Sequence, residues 1–190
     1  MKSGASTVKV WSFQAEAQLH ALLRDSLLTG HWTHVSPDET AAYRFMCLAM
    51  AERGLSCGVH PPVWGWHSCG AHQRPPGAEV ARMLLSDDQL EDGRMVLLEL
   101  DCPADQVLLS DYGAWCDSVY FAEAAARWSD TPQKARRLFE TDSAALTPDA
   151  LIQATLPCIR RDWLVQARQL ALDAQGGVRI LDAPCPPQGF

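Results

Sequence analysis

The stretch "RMVLLELDCPADQVLLSDY", Arg94 to Tyr112, constrains this chain more than any other. It holds two apolar runs, 95 to 100 and 106 to 109, split by the turn-forming "DCPAD". A strand with one wet face alternates apolar and polar residues, whereas a short continuous run bounded by turn residues fits a strand buried on both faces. The runs therefore predict central strands of a sheet covered on each side.

The flanking segments supply the cover. "VKVWSF", residues 8 to 13, reads as a first strand, and Leu19, Leu22, Leu23 and Leu27 then recur at helical spacing, predicting a helix over 15–29 that Gly30 stops. In "SPDE", Ser36 can accept from first-turn amides, Pro37 suits the first helical position and Glu39 completes a capping box. This start predicts a helix over 37–53, with Ala42, Phe45, Met46, Ala49 and Met50 on one face. "AEVARMLLSDDQ" predicts a short helix, and the segment from Cys116 to Glu140 turns helical, with Thr131-Pro132 as a second start. Thr147-Pro148-Asp149 resembles another helix start. Beyond it we expect a strand at 151–156, a helical turn at "RRDWL" and a last strand at 165–172. The expected fold is α+β: one globular domain over 8–182, a mixed β-sheet flanked by helices, and a proline-rich tail at 183–190.

Composition excludes several function classes. A chain of 190 residues buries a core without metal or disulfide staples. Its net charge of -7 argues against a broad phosphate-tracking surface, and Lys134-Arg136-Arg137 and Arg160-Arg161 are the only basic clusters. The N-terminus lacks the apolar run of a secretion signal, and no apolar run approaches a membrane span. Seven cysteines, an odd number, fit reduced thiols, so a cytoplasmic protein is expected. The chain contains no P-loop and no G-x-G-x-x-G.

Chemistry concentrates in "CGVHPPVWGWHSCGAH", residues 57–72. Cys57-x2-His60 and Cys69-x2-His72 have the spacing of a tetrahedral zinc site, with His67 a fifth candidate; the other reading is separate thiols and imidazoles around an aromatic wall. Trp64 and Trp66, two apart, would face one side of an extended segment and could stack a planar ligand, whereas Trp128 and Trp163 suit core positions. Asp101 and Asp111 follow the two buried runs, where sheets present ligand-contacting groups, and Tyr112 and Trp115 come within a turn of Asp111. Local turn-making is the alternative for these carboxylates. Arg44 is the candidate phosphate partner.

The phrases "VKVWSFQ", "AYRFMCLAMAERG", "PPVWGWH", "VLLELDCPADQVLLSDYGAW" and "IQATLPCIRRDWLVQARQL" stand in the order of an uncharacterised bacterial family, a domain of unknown function, which the chain resembles over 8–170. Cys116 replaces a histidine usual after "DYGAW". The strand-helix opening, the aromatic segment and the terminal strand-turn-strand more distantly resemble the ADP-ribosyltransferase fold. That resemblance implies NAD as cofactor, with a first-strand group anchoring it, an aromatic stacking the nicotinamide and a late-strand glutamate holding the ribose. Here Trp11 and Ser12 occupy the first-strand position and Gln153 the late one. A neutral amide can bond a ribose hydroxyl but stabilises developing positive charge less than a carboxylate would.

These readings converge on an expectation: binding of a nucleotide-like small molecule, with Trp11, Arg44, Trp64, Trp66, Tyr112 and Trp115 as binding residues and Gln153 and Asp111 as polar contacts to the reacting part. The rival is a protein-interaction module with a zinc loop of Cys57, His60, Cys69 and His72, in which Trp64 and Trp66 are exposed interface anchors.

Overall fold

The computed structural model describes residues 6–91, 94–120, 138–141 and 150–184. The expected helical segments within 121–137, Trp128, the basic cluster at 134–137, the helix start at 147–149 and the tail from 185 lie outside the described residues.

The chain opens with β1 (Thr7–Ala15) and α1 (Glu16–Asp25). Ser26, at φ 63, ends α1 in a left-handed turn and returns its N–H to the Leu22 carbonyl at 2.9 Å, so the helix stops before the expected Gly30. A short β2 (Leu27–Leu28) follows. At Ser36 the capping box forms as the sequence predicts: Pro37–Glu39 make a 3₁₀ turn that leads into α2 (Thr40–Ala51). Then come β3 (Val63–Gly70), α3 (Ala78–Leu84), α4 (Asp87–Glu91), β4 (Met95–Pro103), β5 (Leu108–Asp111) and α5 (Tyr112–Trp115). The chain closes with β6 (Ala150–Leu156), β7 (Ile159–Arg160), β8 (Leu164–Leu172) and β9 (Val178–Pro184).

The α+β class is as expected. Seven strands form one sheet in the order β5-β6-β3-β1-β4-β8-β9, and every pairing runs antiparallel. Strand β4 has the two buried faces its sequence predicts: Val96, Leu98, Leu100 and Cys102 pack with Leu19 and Leu22 of α1, while Met95 and Leu97 pack with Ala81 of α3 and Leu90 of α4. The second run is different. Its strand, β5, is a four-residue edge, held by β6 on one side and packed through Leu108 against α2. Strand β9 was not foreseen; it pairs with β8 after a turn in which Asp173 accepts from the backbone of Gln175 and Gly177.

The join between β1 and β3 positions everything that follows. Strand β1 pairs with β4 along its whole length, from Thr7–Pro103 to Ala15–Met95, but with β3 only at Trp11–Trp66. Side chains take over on both sides of that pair: Ser12 Oγ donates to the Trp64 carbonyl at 2.7 Å, and His67 Nδ1 lies 2.9 Å from the Lys9 carbonyl. That carbonyl can only accept, so Nδ1 carries the hydrogen. Gly65 permits the approach, because a Cβ there would lie 2.8 Å from both the Trp11 carbonyl oxygen and Val10 Cγ1. Past this point Phe13 to Ala15 and Val63 to Trp64 are unpaired with each other, and the sheet opens.

Candidate functional site

A cavity of about 740 Å³ lies over the opening. Aromatic residues from four elements reach it: Phe13 of β1, Tyr43 of α2, Trp64 and Trp66 of β3, and Tyr112 and Trp115 of α5, with Gln153 of β6 in the wall. The strand explains the tryptophans, since positions two apart in β3 share a face. Trp64 packs edge-on to Tyr43 at 5.4 Å between ring centroids and tilted on Trp115 at 5.0 Å, while Trp66 meets Tyr112 at 5.0 Å. Leu84 and Leu85, at the end of α3, line the same cavity. A second groove of about 370 Å³ shares Phe13, Tyr43, Trp64 and Leu85 with the first and continues to His31, His34, Pro61 and Pro62.

The polar groups in the cavity wall are mostly committed. Gln153 is buried and donates Nε2 to Ser110 Oγ at 2.8 Å, which fixes its carboxamide. Glu39 closes the capping box by accepting from Ser36, N at 3.3 Å and Oγ at 2.9 Å. Burial, with the Cys116 thiol beside it, pushes the Tyr112 phenol up to about 12, and burial with the Glu39 charge raises Tyr43 too. Burial also raises the Cys116 thiol, partly opposed by the Tyr112 hydroxyl. Both phenols and this thiol therefore keep their protons at neutral pH. The buried Trp64 indole N–H lies near the Tyr43 hydroxyl without a well-formed hydrogen bond. This wall suits holding a ring better than abstracting a proton from one.

Of the residues singled out from sequence, Trp64, Trp66, Tyr112, Trp115 and Gln153 come together at this cavity. Four do not join them. Trp11 is 4% exposed and packs in the core with Ala81, Leu97 and Leu170. Arg44 is exposed on α2, outside the lining of either cavity. The Asp111 carboxylate caps α5, accepting from the Ala114 amide at 2.8 Å, so the turn-making reading holds there. Asp101 pairs instead with Lys9 at 3.0 Å.

The zinc loop is overturned as well. Residues 63–70 form strand β3, which holds Cys57 and His60 at one end and Cys69 and His72 at the other, about 20 Å apart at the usual rise per residue. Among the described residues no group of three or more His, Cys, Asp or Glu could hold a metal ion. Trp66 is only 5% exposed and Trp64 is half-buried, so the two do not stand out on the surface together as exposed anchors.

Sequence reasoning missed Phe13, Tyr43 and Gly65. Phe13 had a signal, since it lies two residues after Trp11 on a strand and shares its face. Tyr43 sits one position off the apolar stripe of α2, which gives no such signal. Among the described residues no helix is long and apolar enough to cross a membrane. No family model, curated protein or solved structure matches this chain.

Proposed function

We propose that the aromatic cleft binds a small planar molecule of nucleotide type, with NAD the first candidate. The observation that carries this reading is the convergence of Trp64, Trp66, Tyr112 and Trp115 on one cavity, whose volume is in the range of small-molecule sites. Aromatic walls select flat rings with little regard to substituents, because every nucleobase or nicotinamide presents a π-face. The Gln153 carboxamide, held by Ser110, offers a fixed polar group for a ribose hydroxyl or ring amide. Among the described residues no lysine or arginine lines either cavity, which favours the ring rather than the phosphates as the buried part. On this reading the phosphates lie toward the adjoining groove with His31 and His34, or in solvent. The ADP-ribosyltransferase version is the most specific form, and Gln153 in the late-strand position makes it a binder before a fast transferase.

Titration with NAD, ADP-ribose, nicotinamide and adenosine, followed by tryptophan fluorescence, tests the proposal. Saturable quenching is expected, and Trp64→Ala should weaken affinity about tenfold or more, since one stacking ring contributes roughly 1–3 kcal/mol. Flat titrations with all four ligands, on protein shown to be folded by circular dichroism, would sink it.

A further inference from the structure

We propose that Cys47 and Cys57 form a redox-active dithiol that hydrogen peroxide converts to a disulfide, clamping α2 to the turn before β3. The pair stands on its surroundings in space. Cys57 to His60 make a tight turn, closed by the His60 N–H on the Cys57 carbonyl at 3.1 Å, with Gly58 at φ 59. Cys47 reaches into this turn, its Sγ 3.9 Å from the His60 carbonyl. Cys57 in turn lies over the same face of α2, its Sγ 3.7 Å from the sulfur of Met50, three residues after Cys47. The two thiols thus share one small pocket of the core, within hydrogen-bonding reach of each other.

The two sulfurs are unequal. Cys47 is half-buried, and the hydrogen bond from Cys57 outweighs burial and lowers its thiol, while the same contact together with burial raises Cys57. Cys47 is therefore the nucleophile and Cys57 the resolving thiol. The Cys47 thiolate attacks one peroxide oxygen, the O–O bond breaks, and the departing hydroxide leaves as water with the proton Cys47 gave up. The product is a sulfenic acid on Cys47. Cys57 then attacks that sulfur; the S–O bond breaks as the S–S bond forms, and the expelled hydroxide takes the Cys57 proton as a second water. Two thiols are oxidised, one peroxide is reduced, and the atoms balance. The turn is the part that adjusts, since Val59 is 82% exposed and Gly58 has open space around it.

The test uses the reduced full-length protein. It is exposed to hydrogen peroxide sufficient to convert free cysteine in a parallel tube to cystine, capped with N-ethylmaleimide and digested with trypsin without reductant. Cleavage after Arg53 separates the two cysteines, so a covalently linked peptide pair reports the bond, and fragment ions distinguish Cys57 from Cys69. We expect the Cys47–Cys57 link as the main product, reversed by dithiothreitol and absent from Cys47→Ser. In Cys57→Ser a sulfenic acid should persist on Cys47 and react with dimedone. If that variant fails to fold, the wild-type mapping still decides. Recovery of both cysteines as maleimide adducts, or a main-product link from Cys57 to Cys158, a further thiol whose charge acts on Cys57, would overturn the proposal.

Discussion

Replacing Gly65 with alanine tests the architecture at its narrowest point. The new methyl would start 2.8 Å from the Trp11 carbonyl oxygen and 2.8 Å from Val10 Cγ1, where ordinary contacts begin at 3.4 Å. Relieving both contacts needs a separation of β1 and β3 by about 0.6 Å, and neither is the free end of a flexible side chain. Overpacking of this kind costs roughly 1–3 kcal/mol. Alanine recovers about 0.4–1 kcal/mol by restricting the unfolded chain, so a net loss of about 1–2 kcal/mol is expected. For a chain of this size that corresponds to a fall in Tm of roughly 2–8 °C. Urea unfolding followed by tryptophan fluorescence measures the loss directly. In a Val10→Ala background the penalty should shrink without vanishing, since the carbonyl contact remains. A Gly65→Ala protein as stable as wild type would refute the claim that this glycine sets the strand approach.

Other expectations follow from the same geometry. Burial works to raise Glu99, but the Lys9 ammonium and the Gln166 amide outweigh it and hold the carboxyl below its ordinary range. A depressed carboxyl stabilises the fold above its unfolded pKa of about 4.3 and loses that contribution as pH falls through the lower folded value. Lys9 is 35% exposed, so after solvent screening Lys9→Met should cost only about 1 kcal/mol at pH 7. The gap between variant and wild type should close below about pH 4 in acid unfolding curves; a gap independent of pH would count against the pairing. Asp111→Ala removes the cap of α5 and should cost about 1 kcal/mol by urea unfolding, while ligand affinity at the cleft stays unchanged. A large loss of binding with stability intact would return Asp111 to the site.

What the sequence could tell was what each residue faces, and what it could not tell was which strand lies beside which. The run from Met95 to Leu100 declared two buried faces, and the Ser36–Glu39 capping box declared a helix start, because both signals are local. The spacing of Trp64 and Trp66 placed them on one face for the same reason. Strand β5 carries a run as apolar as β4 but lies at the edge, since β6 enters from far along the chain to take its inner side. The single Trp11–Trp66 pairing that opens the cleft is likewise non-local. Asp111 looked like a candidate contact because a carboxylate after a strand serves equally to cap a helix or to meet a ligand. Only the position of the Ala114 amide distinguishes the two. Cys57 and His60 have short metal-like spacing, but the strand that follows carries the second pair away from them.

The strand order also fixes a schedule for synthesis. Strand β3 has its outer edge covered by β6, whose first residue follows the last of β3 by 80 positions. At about 5–20 residues per second, that edge waits roughly 4–16 s on the ribosome after its own strand has been made. During that interval "VWGWHSCG" is an apolar strand with an open row of backbone donors and acceptors, the form most prone to pair with a neighbouring chain. A nascent chain stopped before Ala150 should therefore be captured by holding chaperones or aggregate, while one carrying β6 clear of the exit tunnel should not.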